Sequence, residues 1–285
     1  MLEKTTPWVL RAAWAVLPIS TGVVLADRLN GWDTSVRATA SILLWCAWAA
    51  VAIATVVPTP ALLAVVRVGT AAAMSVTVVA MGYGSSFVGG FFPLLALAAS
   101  MRPEVAEWFV NGPAYANERR FPLRVPGPLL LGPIWLAGLV VVGGPVGGVL
   151  LVAAGEPVAG AALLVVGGAL AFFAGRALFG LTRRWFVFVP AGVVLHDPMS
   201  LTDPVLFERK VIETLRAAPA TTDSLDLTMG SLGLALELVL TEKVPMVRAS
   251  GRKDALSGAS ARLLFTPTRP GRVLAEATER RLPVG

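Results

Sequence analysis

The chain has 285 residues, of which 55% are hydrophobic and 15% are charged, and its mean hydropathy is +0.72. Soluble domains carry about a quarter charged residues, so this composition excludes a soluble globular protein as a description of the whole chain. Between residues 38 and 101 the one charged side chain is Arg67, and between 125 and 182 only Glu156 and Arg176 are charged. Stretches of that length can cross the ~30 Å hydrocarbon core of a bilayer several times. The sequence therefore predicts a multi-pass membrane protein.

The net charge of +6 does not indicate a nucleic-acid partner, because most of the excess base lies beside the predicted spans, where membrane topology explains it. Arginine outnumbers lysine 20 to 4, and alanine, valine and glycine are abundant, which is typical of a GC-rich bacterial genome.

Hydropathy predicts six spans, at residues 8–26, 37–57, 61–82, 84–100, 128–153 and 158–181. The first four form a membrane domain over residues 1–100, and the last two form a transmembrane hairpin over 128–182. The fourth segment is short and could be re-entrant, and the N-terminal segment could instead be a cleaved signal peptide. Arg67 lies about six residues into the third span, so we expect its side chain to snorkel to the cytoplasmic interface.

Lysine and arginine in short loops set the orientation of a membrane protein. The basic and aromatic loop 101–127 contains Arg119, Arg120 and Arg124, and Arg183 and Arg184 follow the sixth span. We therefore expect this loop, the C-terminal domain and the N-terminus to be cytoplasmic, at the inner (plasma) membrane. A re-entrant fourth segment would put the N-terminus outside.

Glycines recur in the fifth and sixth spans and allow helix backbones to approach closely in lipid. The helix-packing candidates are Gly143, Gly144, Gly147, Gly148, Gly167 and Gly175. They predict a tight hairpin; a homo-oligomer face or a lined cavity is the alternative. Pro145, flanked by glycines, could also break the fifth span, as transporters do at substrate sites.

Residues 183–285 contain fourteen Lys/Arg and eleven Asp/Glu, a content of charged residues that is typical of a soluble domain. Runs with a period of two predict short antiparallel strands separated by turns. These strands fall at 185–189, 192–196, 210–217, 224–229, 234–240, 244–248 and 261–267, with turns that include 190–192 and 251–254. The segment "TRPGRVLAEATERR" predicts one final helix. The fold class is therefore membrane all-α plus a small β-barrel or orthogonal-sheet domain with one C-terminal helix.

The stretch "RRWFVFVPAGVVLHD", a basic and aromatic juncture that runs into a first hairpin, resembles the start of bacterial pleckstrin-homology-like domains fused to membrane spans in actinobacterial membrane proteins. The resemblance covers residues 183–285 only. It implies a cytoplasmic pleckstrin-homology-like domain, and such domains vary in ligand from phospholipid headgroups to peptides.

No sequence motif for catalysis, nucleotide binding or metal binding is present. The single histidine, His196, precedes Asp197 at a predicted strand end, and the single cysteine, Cys46, lies in a span. We therefore expect no enzymatic activity, no metal site and no cofactor.

The sequence favours a non-enzymatic membrane protein whose cytoplasmic domain binds a partner protein or anionic lipid headgroups. The candidate binding residues are Arg119, Arg120, Arg124, Arg183, Arg184 and Trp185. Strand edges or a groove beside the final helix would receive the partner protein. The alternatives are a small-solute or lipid transporter or an accessory subunit of a transport or envelope complex, and a lipid-active membrane enzyme.

Overall fold

The computed structural model describes residues 2–82, 88–250 and 254–285, and the chain divides into two units. The helical unit comprises residues 1–112 and 133–179, and the β unit comprises 113–132 and 180–285. In the described residues, the helices long and apolar enough to cross a membrane are Thr5–Leu29, Thr34–Val56, Pro60–Met81, Pro133–Ala153 and Pro157–Leu181. The prediction of an apolar helical region followed by a C-terminal β-sheet domain with a final helix is confirmed.

The helices are, in chain order, α1 (Leu2–Leu29), α2 (Thr34–Val56), α3 (Pro60–Met81), α4 (Val88–Ser100), α5 (Pro103–Asn111), α6 (Gly127–Leu130), α7 (Pro133–Ala153), α8 (Pro157–Leu181) and α9 (Pro270–Glu279). The strands are β1 (Arg119–Pro122), β2 (Trp185–Val189), β3 (Gly192–His196), β4 (Val205–Glu208), β5 (Ile212–Ala217), β6 (Leu225–Asp226), β7 (Leu236–Ser250) and β8 (Asp254–Phe265).

Polar side chains join the first helices through main-chain carbonyls. The indole nitrogen of Trp14 donates to the Trp48 carbonyl at 2.9 Å, and that of Trp48 donates back to the Trp14 carbonyl at 3.0 Å. Arg11 donates to the Thr55 carbonyl in the last turn of α2, and its guanidinium lies 4.8 Å from the ring of Trp108. Within lipid such carbonyls have no water to bind, so these bonds tie α1 to α2.

The fourth predicted span is only partly described. Residues 84–87 lie outside the described residues, and α4 has 13 residues, which at 1.5 Å per residue is about 20 Å and shorter than the hydrocarbon core. The Nε atom of Arg67, for which the sequence predicted snorkelling, donates to the carbonyl of Ser100 at the end of α4, at 3.4 Å. The hydroxyls of Thr70 and Ser100 lie 2.9 Å apart, so the end of α4 is fixed beside the middle of α3.

The predicted loop 101–127 is divided between the two units. Helix α5 belongs to the helical unit, where Val105, Ala106 and Phe109 are buried in its core. Strand β1 belongs to the β unit, where Phe121 is buried. Apolar side chains at these positions are removed from water by packing within their own unit.

Helices α7 and α8 form an insertion between two paired strands. β1 pairs antiparallel with β2, and Phe121 lies opposite Phe186. The β domain therefore begins before the transmembrane hairpin and not at residue 183 as the sequence predicted.

Glycines bring α7 and α8 into close contact. A Cβ atom on Gly144 would lie 3.0 Å from the Cα of Gly167, and one on Gly148 would lie 2.7 Å from the side chain of Leu164. Gly147 would meet Leu163 at 3.2 Å. Gly143 and Gly175 have only contacts of 3.8 Å, so they leave more room. Helix α7 runs through Pro145 without a break.

The β unit consists of two four-stranded sheets. One has the order β1-β2-β3-β4 and the other β5-β7-β8-β6, in which β6 runs parallel to β8. Two predicted strands, 234–240 and 244–248, are one strand, β7, with a register shift between Val239 and Val244. The predicted strand 224–229 is reduced to β6, and β4 had no predicted counterpart. Residues 251–253 of the predicted turn 251–254 lie outside the described residues.

Aromatic and aliphatic side chains from both sheets form the core of the β unit. The rings of Phe186 and Phe265 stack at a centroid distance of 4.4 Å. Helix α9 buries Val273 and Ala277 against this core. The core therefore needs β1, β2 and α9 together, although β1 is separated from the others by the membrane hairpin.

Replacing Gly167 by alanine should destabilise the α7–α8 hairpin by roughly 1–3 kcal/mol, because the new methyl group overlaps the backbone of Gly144. The matched control is Gly168→Ala, since a Cβ there meets nothing within 4 Å. Thermal unfolding of the full-length protein in detergent measures both. Equal melting temperatures for the two variants would contradict the close packing.

Candidate functional site

A buried ion pair lies at the joint where α8 leads into β2. Arg184 is only 2% exposed and donates to both carboxylate oxygens of Asp197, at 2.7 and 2.8 Å. Its third bond, at 2.8 Å, goes to the carbonyl of Arg124. Asp197 also accepts from the Ser200 hydroxyl at 2.9 Å. A bidentate arginine–carboxylate pair of this kind is strong and directional, so the Arg184 guanidinium is committed inside the protein.

This geometry removes Arg184 from the set of predicted headgroup-binding residues. Sequence reasoning placed it on the surface because it follows a span beside Arg183. The register of the predicted hairpin could have indicated the ion pair. Trp185 pairs with His196, so Arg184, one residue before Trp185, lies opposite Asp197, one residue after His196.

Trp185 and Arg120 also make contacts within the β unit. The rings of Trp185 and His196 are stacked at 4.8 Å, and the Arg120 guanidinium lies 5.6 Å from the Trp185 ring. Arg120 pairs with Glu118 at 2.9 Å. The His196 Nδ1 bonds the Arg183 carbonyl at 2.7 Å, and burial lowers the pKa of His196 from its ordinary value. Burial therefore favours the neutral form of the His196 ring that stacks on Trp185.

The remaining predicted arginines do not form one surface with these residues. Arg119 pairs in register with Phe188, at the end of β2 away from Arg183. Arg124 lies against the loop at Gly233, where an added Cβ would be 2.9 Å from the guanidinium carbon. Of the predicted set, Arg183 is exposed to solvent.

A second buried carboxylate was not foreseen from the sequence. Glu237 on β7 is fully buried and accepts hydrogen bonds from Arg216 at 2.8 Å, from the Thr222 hydroxyl at 2.7 Å and from the Ser224 hydroxyl. Burial by itself raises the pKa of Glu237, but these hydrogen bonds outweigh it and the pKa is lowered. The carboxylate fastens the connection between β5 and β6 to the sheet.

A groove lies between β4 and the outer half of β7, and we call it the β4–β7 groove. Its volume is about 410 Å³, and it is lined by Asp203, Pro204, Val205, Leu206, Val244, Pro245, Met246, Val247 and Gly258. The lining is apolar apart from Asp203. One end is closed by main-chain bonds, since the Thr202 amide donates to the Val247 carbonyl at 2.9 Å.

Strand edges line both sides of the β4–β7 groove. In the described residues β4 pairs only with β3, so it is the edge of its sheet. The pairing of β5 with β7 ends at Leu240, so the part of β7 from Val244 onward extends beyond β5. Edge strands carry main-chain groups that can pair with another extended chain.

The described part of the chain contains no group of three His, Cys, Asp or Glu side chains that could hold a metal ion. No protein-family model, curated protein or solved structure matches the chain.

Replacing Arg184 by alanine should lower the stability of the β unit by about 3–5 kcal/mol, because Asp197 would remain buried without its cation. Arg183→Ala is the matched control, and at this exposed position we expect a change within about 0.5 kcal/mol. Thermal unfolding of the full-length variants in detergent makes the comparison. Similar melting temperatures would show that the ion pair does not determine the stability of the joint.

Proposed function

We propose that this chain is a non-enzymatic protein of the inner membrane, and that its β unit faces the cytoplasm and binds an extended segment of a partner protein. The observation that carries this proposal is the β4–β7 groove, which has a strand edge on each side. An extended peptide that adds to a sheet edge gains main-chain hydrogen bonds for affinity and side-chain pockets for specificity.

The lining of the groove indicates what kind of segment would bind. Val205, Leu206, Val244 and Met246 offer apolar contacts, so alternate residues of the incoming segment should be apolar. Asp203, at the rim, would favour a basic residue near one end of the segment.

Anionic headgroups are the less favoured ligand. Of the six predicted binding residues, Arg184 is buried with Asp197, while Arg120 and Trp185 contact each other within the β unit. A cluster of exposed arginines would be needed to hold anionic lipid electrostatically. The partner-protein hypothesis therefore has the stronger support.

We also propose that the β unit is a pleckstrin-homology-like domain. Two sheets and a final helix packed on the core support this assignment. The unit departs from the expected order of seven antiparallel strands, because β1 comes from before the membrane hairpin and β6 runs parallel to β8.

The proposed orientation requires six crossings, and we infer that α4 and α5 together make the fourth one. A Cβ atom on Gly90 in α4 would lie 3.0 Å from Met81 at the end of α3, whereas one on Gly112 would overlap the carbonyl of Pro58 before α3 begins. Because α3 crosses the membrane between these points, the chain from Gly90 to Gly112 has to cross back. The α4–α5 pair supports a broken span and argues against a re-entrant one.

This topology predicts opposite labelling of two single cysteines in a Cys46→Ala background. A cysteine at Gly31 should react with a membrane-impermeant maleimide on intact cells. A cysteine at Tyr115 should react only after the cells are lysed, because 113–132 would be cytoplasmic. The same labelling at residues 31 and 115 would contradict six crossings, and labelling at residue 115 alone on intact cells would contradict the proposed orientation.

The partner-binding proposal predicts contact of Leu206 with another protein in cells. A photo-reactive amino acid in place of Leu206 should form a protein adduct, whereas one in place of Val284 should not. Both side chains are exposed, at 45% and 40%, but only Leu206 lines the groove. The co-purified partner should also slow hydrogen exchange at the backbone amides of β4, as strand addition requires. Equal adducts at both positions, or unchanged exchange in β4, would contradict the proposal.

A further inference from the structure

Exposed apolar side chains are concentrated at one loop of the β unit, residues 229–234, which we call the apolar loop. Leu232 is 69% exposed, Leu234 is 51% exposed and Met229 is 41% exposed. Leu131, which follows α6, is 90% exposed. Single exposed leucines are ordinary on soluble surfaces, but a group of them marks a binding surface.

The apolar loop is fixed to the segment that leads into α7. The Gly127 amide donates to the Gly230 carbonyl at 3.1 Å, and the Ser231 hydroxyl donates to the Arg124 carbonyl at 3.0 Å. Pro126 and Ser231 form a bridge. These bonds hold the leucines of the loop at a defined position beside residues 124–127.

The backbone of the apolar loop adopts unusual conformations that turn the chain tightly. Met229 has φ 55°, Gly230 has φ 68° and Gly233 has φ 113°. A left-handed conformation at a residue other than glycine costs about 1–2 kcal/mol. The hydrogen bonds of the next two residues, Gly230 and Ser231, with residues 124–127 hold the turn beside Met229.

Leu131 and Leu232 lie on the same side of α6. An added Cβ on Gly127 would be 3.5 Å from the Cγ of Leu232. Leu131 is four residues after Gly127 and still has helical dihedral angles, and residues four apart share one face of a helix. The exposed side chains of the apolar loop and of Leu131 thus lie on one side of α6, and together we call them the apolar surface.

This surface adjoins the start of a candidate membrane span. Helix α7 begins at Pro133, two residues after Leu131, and two residues cover at most about 7 Å. The headgroup layer on each side of the hydrocarbon core is about 5–8 Å thick. The chain connection alone therefore keeps Leu131 at or near the headgroup layer, together with the apolar loop bonded beside it.

We infer that the apolar loop inserts Met229, Leu232 and Leu234 into the boundary between the headgroups and acyl chains of the bilayer. The occupant of the surface is lipid, because Leu131 precedes the apolar helix α7, a candidate membrane span, by only two residues. Apolar side chains in this boundary bind by removal of their surface from water. The contact would anchor the β unit at a third point besides α7 and α8, and it does not depend on the β4–β7 groove.

The test measures whether a spin label on the protein is surrounded by lipid or by water. The full-length protein with the Cys46→Ala substitution is purified and reconstituted in vesicles of phosphatidylcholine and phosphatidylglycerol. A nitroxide is attached to a cysteine at Leu232 or, as the control, at Leu206. Collision rates are measured with oxygen, which concentrates in the bilayer, and with a neutral nickel complex, which stays in water. The nickel complex is included when the vesicles are formed, so both reagents are present on both sides of the membrane and the insertion direction does not affect the result.

The ratio of oxygen to nickel collisions should be several-fold higher at residue 232 than at residue 206. A label at Leu234 should give the same ratio as the label at residue 232. Because Leu232 and Leu234 are exposed, the labelled proteins should melt in detergent at the same temperature as the unlabelled protein. Equal ratios at 232 and 206 would show that the loop lies in water and would overturn the inference. Protection of residue 232 from both reagents would also overturn it, because another protein or a second copy of the chain would then cover the loop.

Discussion

The pairing of β1 with β2 is the constraint on which the rest of the chain depends. Pro122 lies opposite Trp185, and the Leu123 amide donates to the Arg184 carbonyl at 3.0 Å. The chain therefore leaves the sheet toward α7 and returns from α8 on adjacent strands, which are about 4.8 Å apart. A closely packed pair of antiparallel helices lets a segment that crosses a membrane return to the neighbouring strand. The close approach of Gly144 to Gly167 allows this packing, so the glycines and the sheet meet the same requirement.

The ion pair of Arg184 and Asp197 makes this joint specific. Two charges removed from water stabilise a fold only when further hydrogen bonds satisfy them, and here Ser200 and the Arg124 carbonyl supply those bonds. The Arg124 carbonyl also accepts from Ser231 in the apolar loop. One carbonyl thus connects the return from the membrane with the loop that we infer to touch lipid. The basic residues at the joint act mainly on the protein itself, which leaves apolar contacts and strand edges for recognition.

The sequence predicted the parts of the fold that depend on composition and local period. Apolar stretches predicted the five long helices, and alternation predicted β2 and β3 with their correct bounds. Strand β1 was not predicted, because "RRFP" has only four residues, two of them arginines, and its partner β2 lies beyond two membrane helices. Strand β7 was predicted as two strands, 234–240 and 244–248, because the charged "TEK" at 241–243 interrupts the apolar alternation.

The candidate sites were harder to predict because they depend on contacts between distant residues. Arg184 has the sequence context of an interface arginine, and only the register of β2 with β3 reveals Asp197 as its partner. The β4–β7 groove is formed by β4 and by the part of β7 that extends beyond β5. Strand β4 was not predicted, because its alternation of apolar and polar residues is too short to detect. Leu232 was expected between two predicted strands and Leu234 at the start of the second one. Their position near α6 depends on hydrogen bonds between residues that are about a hundred positions apart in the sequence, such as Gly127 and Gly230.

The strand β7 connects the two surfaces that we propose to be functional. It begins two residues after Leu234 of the apolar loop, and its residues 244–247 line the groove. From Leu236, where β7 begins, eight to eleven residues of extended chain lead to residues 244–247, which is roughly 26–36 Å along the strand at ~3.3 Å per residue. That distance exceeds the thickness of a headgroup layer several-fold, so contact of the loop with lipid does not require the groove to be covered by lipid.

Because β1 precedes the membrane hairpin, removal of residues 183–285 would take away its partner strand, and expression of those residues alone would remove Phe121 from the core. Both surfaces therefore belong to the β unit as it exists in the intact membrane protein.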